Sequence, residues 1–251
     1  MPEALDPSLH ARPFVHEGSN RKGLYFSISE IQSRMDLRDP FALDLEYTRT
    51  MMGFLLFVPD PRQIAMIGLG GGSLAKFCHR HLPAARLQVV EINPHVIALR
   101  DEFHVPPDDE RLRVIHGDGA QFVRYRATRC DVLLVDGFDA DGLPDRLCSQ
   151  RFYDDAHEML QPGGVLVANL HYRHRDHDRH VTRIRRSFQE SVLVVVDADG
   201  SNSIVFAAKG PAIERFRAGA VRTPKGLDKA AAPQLTGAFA RICGAWNEQR
   251  G

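Results

Sequence analysis

Short apolar runs alternate with longer amphipathic stretches between residues 63 and 209, and this rhythm constrains the fold more than any other feature. Seven runs are rich in leucine and β-branched residues: "IAMIG" (64–68), "LQVVE" (87–91), "LRVI" (112–115), "DVLLVD" (131–136), "GVLVANL" (164–170), "SVLVVV" (191–196) and "SIVFAA" (203–208). Continuous apolar runs are typical of strands buried on both faces, and the stretches between them are long enough for crossover helices. The last two runs are joined only by "DADGSN", which predicts an antiparallel hairpin at one sheet edge. We therefore predict an α/β fold with a doubly wound, mostly parallel, Rossmann-like sheet of about seven strands.

The regions on either side of these runs have different patterns. The segment "GLYFSISEIQSRMDL" (23–37) alternates like a small β-hairpin, and "PFALDLEYTRTMMGFLLF" (40–57) has the pattern of a helix. After residue 211 the chain is polar and interrupted by proline and glycine, with one helix predicted at about 235–249. We expect a small N-terminal β cap and linker at 1–50, a Rossmann-like nucleoside-binding catalytic domain at 51–210 and a C-terminal helical tail at 211–251.

Composition narrows the partners and the compartment. Among 251 residues, Lys plus Arg and Asp plus Glu both number 32, so no net charge favours nucleic acid or an anionic membrane. The four cysteines have no CxxC spacing, which argues against a disulfide framework and a zinc site and fits a reducing cytoplasm. The sequence has no signal-type apolar region, and its longest apolar stretch (51–58) is too short to span a bilayer. We expect a cytoplasmic protein with neither nucleic-acid nor membrane partners.

Glycines and carboxylates follow four of the predicted strands, at the sheet edge where open parallel sheets bind ligands. Glycines allow backbone N–H groups to approach a ligand, and a carboxylate about twenty residues later suits ribose hydroxyls. Each signal also has a structural explanation: a tight turn at the glycines, a solvated acid after the second strand, and Asx turns or helix caps at the aspartates. Taken together they indicate a nucleoside site, and the last two carboxylates suit a cationic amine. The residues are Gly68, Gly70, Gly71, Gly72, Glu91, Asp118, Gly119, Asp136 and Asp139.

The ordered series of motifs resembles the polyamine aminopropyltransferases, the spermidine and spermine synthases, which share their core with the class I S-adenosylmethionine methyltransferases. The resemblance covers residues 24–209. It is carried by Gln32, Tyr47, "GGGSL" (70–74), "VEIN" (90–93), Asp118-Gly119, Asp136 with Asp139, and "RFYDDAHEMLQPGGVLVANL" (151–170).

The resemblance implies a role for each matching residue. Glu91 would hold the ribose of a sulfonium nucleoside, and Asp118 with Gly119 would read the adenine. Asp136 would act as the base, while Asp139 and Tyr47 would orient the amine. The remaining donor-binding positions are Gln32, Gly68, Gly70, Gly71, Gly72 and Ser73.

The resemblance also implies the substrates and the assembly. The co-substrate would be decarboxylated S-adenosylmethionine, or S-adenosylmethionine itself, with no tightly bound cofactor and no metal. The acceptor would be a small-molecule polyamine. A homodimer is expected from the resemblance alone.

The sequence departs from the family pattern at several positions. The aspartate that follows the triple glycine in the family is Ser73, the VEID aspartate is Asn93, and the glutamine that ends strand five is Asn169. The family His-Glu after the helical tyrosine is Thr48-Arg49. The nucleoside half of the pattern is therefore better retained than the amine half, and the loss of the carboxylate at position 73 predicts weaker discrimination against intact S-adenosylmethionine.

Three alternatives stay open at this point: an S-adenosylmethionine-dependent methyltransferase, a noncatalytic nucleoside-binding relative, and a nicotinamide dehydrogenase. The last is the weakest, because G-x-G-x-x-G would require glycine at position 73. The histidines at 171, 174, 177 and 180 recur every third residue, and we interpret "HYRHRDHDRH" (171–180) as a solvated loop rather than a metal tract. Phe152-Tyr153 is expected to pack a helix onto the sheet, or else to line the acceptor pocket.

Overall fold

The computed structural model describes residues 5–27, 31–125, 129–138, 142–218 and 223–249. A three-stranded sheet contains β1 (Phe14–Glu17), β2 (Arg21–Tyr25) and β3 (Ile31–Asp36). A seven-stranded sheet contains β4 (Gln63–Ile67), β5 (Arg86–Glu91), β6 (Leu112–His116), β7 (Cys130–Val135), β8 (Leu160–His171), β9 (Val192–Val196) and β10 (Asn202–Ala208). The α-helices are α1 (Glu46–Met51), α2 (Ser73–His81), α3 (Pro94–Ile97), α4 (Gly119–Tyr125), α5 (Asp145–Cys148), α6 (Gln150–Met159), α7 (His177–Ser187), α8 (Ala212–Arg215) and α9 (Ala232–Glu248).

The large sheet has the order β6-β5-β4-β7-β8-β10-β9, which confirms the doubly wound prediction. The five strands from β4 to β8 run parallel, and β10 is antiparallel to both β8 and β9, as the short "DADGSN" connection predicted. The chain builds outward from β4 to β6 and then returns to place β7 on the other side of β4. The topological switch point therefore lies between the carboxyl ends of β4 and β7, where this type of sheet binds ligands.

Side chains of the central strands alternate between two core layers. Ile64 and Met66 of β4 face a cluster that includes helices α2 and α9, while Ala65 and Ile67 face a second cluster that includes α6 and α7. Because both faces are covered, most positions of β4, β5 and β7 are buried. Phe152 and Tyr153 of α6 belong to the second cluster and are almost fully buried, so they pack this helix onto the sheet.

The small sheet has three strands rather than the two of the predicted hairpin. Strand β1 pairs antiparallel with β2, which pairs with β3. Leu24 and Met35 of this sheet are buried in the same cluster as Leu235 and Phe239 of α9. Since one cluster joins residues of the cap, the large sheet and the tail, the division into three units at 50 and 210 stays a prediction.

The segment 40–57 is less helical than its pattern predicted. Helix α1 begins at Glu46 and is followed by a 3₁₀ helix over Met52–Leu56, while residues 40–45 form a turn and irregular backbone. The carboxylate of Asp44 binds Arg21 and Arg34 of the cap sheet, which holds this stretch against β2 and β3 instead of in a helix. The C-terminal helix agrees with its prediction within three residues at each end, with Pro233 in its first turn.

The histidine-rich stretch 171–180 is a solvated loop only in its first half. Residues from His177 onward form α7, where His177 and His180 are buried, so the prediction was wrong for this half. His177 lies 2.8 Å from Ser203 Oγ of β10, which packs the helix against the sheet. In the described ranges, no helix has the length and apolar character that crossing a membrane requires.

Candidate active site

A cavity of about 360 Å³ opens at the carboxyl ends of the parallel strands. Its wall includes the residues that follow or end four neighbouring strands: Gly68 after β4, Glu91 of β5, Asp118 after β6 and Asp136 after β7. The structure thus brings these predicted residues together at one cavity, because parallel strands bring their carboxyl ends to one edge. Predicted site residues on this wall are Gln32, Tyr47, Gly68, Gly70, Ser73, Glu91, Asp118, Gly119 and Asp136.

The glycine loop is shaped by close packing as well as by the cavity. Gly68 has φ +91°, and a Cβ there would come 2.1 Å from the carbonyl oxygen of Asp136. Gly71 and Gly72 do not line the cavity. A Cβ on Gly71 would approach Ser33 and Phe103, and one on Gly72 would lie 2.3 Å from a methyl carbon of Val105. These two glycines let the loop pack against its neighbours so that Gly70 and Ser73 reach the cavity wall.

Glu91 is buried against the glycine loop, with 7% of its surface exposed. Its Oε2 accepts a hydrogen bond from the backbone of Leu69 (2.7 Å), and its Oε1 accepts one from the backbone of Asn93 (2.8 Å). Burial raises the pKa of this carboxyl, and the backbone donors partly oppose the effect by favouring the charged form. Glu91 thus orders the loop that builds the cavity, in addition to presenting a carboxylate to it.

Asp118 caps a helix and also forms an ion pair. Its Oδ1 accepts hydrogen bonds from the backbone of Ala120 (2.8 Å) and Gln121 (3.3 Å), at the start of α4. Its Oδ2 accepts a hydrogen bond from Nη1 of Arg146 at 3.1 Å. Arg146 also lines the cavity and is a site residue that the sequence did not indicate, because no motif connects it with Asp118.

Asp136 is held by two side-chain donors from different parts of the chain. The hydroxyl of Tyr47 donates to its Oδ2 at 3.2 Å, and the amide of Asn169 donates to its Oδ1 at 2.9 Å. Burial raises the pKa of Asp136, while these two hydrogen bonds lower it. Burial and the nearby charge of Asp136 raise the pKa of Tyr47 well above its ordinary value. Tyr47 therefore stays a proton donor, and the carboxylate is positioned to accept a further proton from a bound group.

The remaining predicted positions divide into those at the cavity and those elsewhere. Ser73 is the first residue of α2 and only 9% exposed, and Thr48 lies on the cavity wall near Tyr47. Arg49 does not line the cavity, and its guanidinium donates to the carbonyl oxygen of Asp44 at 2.9 Å. Asp139 lies outside the described residues. Among the residues that the structure describes, no group of three or more His, Cys, Asp or Glu is arranged to hold a metal ion.

The fold and the cavity together define a protein of the doubly wound α/β class with a candidate ligand site at the carboxyl ends of its parallel strands. A glycine loop follows β4, a buried carboxylate ends β5, and a hydrogen-bonded carboxylate follows β7. The family model of the spermine/spermidine synthase domain matches residues 44–198 of this chain. The chain belongs to the spermine/spermidine synthase family, a family of transferases.

Individual relatives agree with this assignment. The chain is 37% identical over 216 residues to a polyamine aminopropyltransferase of Chromobacterium violaceum, with 84% of this chain and 83% of that protein covered. Its fold is similar to a probable spermidine synthase from Corynebacterium glutamicum (TM-score 0.67, 20% identity, 91% and 92% covered). It is also similar in fold to human methyltransferase-like protein 13, solved in complex with SAH (TM-score 0.63, 23% identity, 80% and 93% covered).

These comparisons confirm the predicted family and the methyltransferase-like fold. Aminopropyl transfer, the function predicted from the motifs, is confirmed at the level of the family and is favoured over methyl transfer. The nicotinamide dehydrogenase alternative receives no support from the family assignment.

Proposed function

We propose that the protein transfers the aminopropyl group of decarboxylated S-adenosylmethionine to an amine of a polyamine and releases methylthioadenosine. The observation that carries this proposal is the carboxylate of Asp136, which lines the cavity while Tyr47 and Asn169 hold its two oxygens. A base that is oriented in this way and faces the cavity suits an amine that must lose a proton as it forms a bond.

The donor would be bound along the first three parallel strands. Glu91 would accept hydrogen bonds from the ribose hydroxyls, because its carboxylate is fixed by backbone donors at the cavity wall. Asp118 and Gly119 would recognise the adenine at the start of α4. The adenine and ribose would then lie along the sheet edge at β5 and β6, and the sulfonium of the donor would lie near β7.

The chemical step is an in-line substitution at the carbon next to the sulfonium. The nitrogen lone pair of a neutral amine forms the C–N bond as the C–S bond breaks, and the electron pair of that bond neutralises the sulfur. The nitrogen then carries a positive charge, and one of its protons passes to a carboxylate oxygen of Asp136. Orientation of the two reactants can contribute roughly 7–11 kcal/mol, and a positioned base another factor of about 10²–10⁴.

Tyr47 and Asn169 have complementary positioning roles in this scheme. Each donates to a different oxygen of Asp136, so rotation of the carboxyl group would break one of these bonds. The aspartate expected to orient the amine, Asp139, comes three positions after Asp136 in the sequence. We include it in the proposal from the family motif, since it lies outside the described residues.

The proposal is tested by replacing Asp136 with asparagine. Methylthioadenosine release from decarboxylated S-adenosylmethionine and putrescine should fall in kcat by at least about a hundredfold, because the base is lost, while donor affinity stays nearly constant. The Asp101→Asn variant carries the same chemical change at an exposed position that does not line the cavity and should retain activity. A wild-type protein that binds methylthioadenosine but turns over no sulfonium donor would support a noncatalytic relative instead.

Assembly and location belong to the same proposal. We propose a homodimer on the basis of the family resemblance, to be measured by light scattering during gel filtration. Cytoplasmic location is proposed because all four cysteines are free thiols and three of them are buried. The balanced charge also supports a small-molecule acceptor in preference to nucleic acid.

A further inference from the structure

Residues 5–11, which we name the N-terminal strap, lie across one side of the cavity. The strap contains a 3₁₀ helix over Pro7–Leu9, capped by Asp6, whose side chain accepts a hydrogen bond from the backbone of Ser8 at 2.9 Å. Leu9, His10 and Ala11 line the same cavity as Glu91. The strap belongs to neither sheet, so side-chain contacts from outside must hold it in this position.

Asn93 and His95 tie the strap to the large sheet. The side-chain amide of Asn93 donates to the carbonyl oxygen of Ala11 at 2.8 Å, and Nε2 of His95 lies 3.3 Å from the carbonyl oxygen of Pro7. Asn93 is 6% exposed, and its backbone N–H donates to Glu91. One buried residue therefore connects the strap to the carboxylate expected to hold the ribose.

The identity of residue 93 matters for this connection. Its Oδ1 accepts a hydrogen bond from the backbone of His95 at 2.9 Å and so caps α3, which an aspartate would do equally well. Only the amide group of asparagine can donate to Ala11, because a carboxylate has no donor and would face a carbonyl oxygen. The asparagine found where the family motif has aspartate is thus matched to the presence of the strap.

Leu9 is the feature of the strap that points to a ligand. Its surface is 62% exposed, and yet it lines a cavity whose other walls are largely buried. An apolar side chain at this place gains from any ligand that covers it, since burial of apolar surface drives association. A purine nucleoside with a methylthio group offers such a surface.

We propose that the N-terminal strap is a wall of the donor-nucleoside site, in which Leu9 contacts the bound nucleoside and Asn93 fixes the strap in place. This inference rests on the proposed function, because it takes a nucleoside held at Glu91 as the ligand. It adds a binding determinant that precedes the region matched by the family model and that no motif of the family contains.

The expected contribution of Leu9 follows from the carbon atoms it would bury. Each buried methylene changes a binding constant by about fourfold, and leucine exceeds alanine by three carbons. If the nucleoside covers about half of this surface, Leu9→Ala should weaken binding by about tenfold. Since Leu9 is mostly exposed in the protein alone, the same change should leave the melting temperature without ligand unchanged.

The test is calorimetric titration of the 251-residue chain with methylthioadenosine. Leu9→Ala should bind about tenfold more weakly than wild type. The matched control is Tyr125→Ala, which removes another exposed large side chain, 76% exposed and away from the cavity, and should bind like wild type. Asn93→Asp should lose a similar factor, and the double variant should bind no more weakly than either single variant, because both changes remove the same wall.

The outcomes separate this inference from the proposed function. If Leu9→Ala binds methylthioadenosine as tightly as the wild type does, the inference is overturned and the proposed function stays intact. If the losses of Leu9→Ala and Asn93→Asp add, Asn93 acts through Glu91 and its assigned role in fixing the strap is wrong. Failure of the wild type to bind methylthioadenosine at all would overturn both proposals.

Discussion

Replacing Glu91 with glutamine tests whether its carboxylate is needed for the fold as well as for the ligand. In the structure, one oxygen accepts from the backbone of Leu69 at 2.7 Å and the other from the backbone of Asn93 at 2.8 Å. A glutamine can present its carbonyl oxygen to only one of these N–H groups. Its NH₂ group would then face the other N–H, so one buried backbone donor would lose its acceptor.

The size of the effect follows from these contacts. An unsatisfied buried donor costs about 1–3 kcal/mol, and the remaining bond also loses its charge-assisted part. For a chain of this length each kcal/mol lowers the melting temperature by roughly 2–4 °C. Burial raises the pKa of Glu91, but its backbone N–H donors favour the ionised carboxylate. Replacing that carboxylate with a neutral amide therefore still carries this cost. We therefore expect Glu91→Gln to lower the melting temperature without ligand by several degrees.

Thermal unfolding with and without methylthioadenosine distinguishes the two roles of Glu91. The variant should melt earlier than wild type in the absence of ligand and should also gain less from the ligand, which stabilises by about 2.7 kcal/mol at a concentration of 100 times its Kd. Glu110→Gln is the control, since this acid is exposed and outside the cavity. An unchanged melting temperature without ligand would refute the assignment of a structural role, whatever the effect on binding.

Two further predictions concern Ser73 and the hydrogen bonds of Asp136. Ser73→Asp should weaken binding of S-adenosylmethionine relative to its decarboxylated form, because two like charges at about 4 Å repel by roughly 4 kcal/mol at an effective dielectric of about 20; an unchanged affinity ratio in calorimetry would show that another group selects the donor. Tyr47→Phe removes a donor that lowers the pKa of Asp136, so that pKa should rise. Since the base works only when ionised, the acidic limb of the kcat/KM profile should move to higher pH, and a limb that stays in place would contradict the role of Asp136.

The strands and the position of the cavity could be predicted because they depend on local patterns. Apolar runs such as "DVLLVD" (131–136) identify strands buried on both faces, and the residue after each run then necessarily lies at the ligand-binding edge. Asp136 and Glu91 were found in this way without any knowledge of their contacts. The hairpin of β9 and β10 was predictable from the length of one connection alone.

Other features depend on contacts that no local pattern encodes. Strand β1 is short and mostly exposed, so it has no apolar alternation to reveal it. The contact of Asp44 with Arg21 and Arg34 stops a helix that the periodicity of 40–57 favoured. The strap is held at the cavity by contacts that are distant in sequence, such as the bond from Asn93 across 82 positions, and residues 5–11 themselves carry no motif.

The ion pair between Arg146 and Asp118 has a consequence for how ionic strength affects binding. In the proposed complex the adenine amine donates to the carboxylate to which the guanidinium of Arg146 now donates, so an uncharged ligand competes with a cation of the protein. The side chain of Arg146 is 44% exposed, and salt at about 0.1 M screens charges over roughly 10 Å. Added salt weakens the ion pair between Arg146 and Asp118 and has little effect on the hydrogen bond from the neutral adenine amine. Affinity for methylthioadenosine should therefore increase with ionic strength in the wild type and lose this dependence in Arg146→Ala.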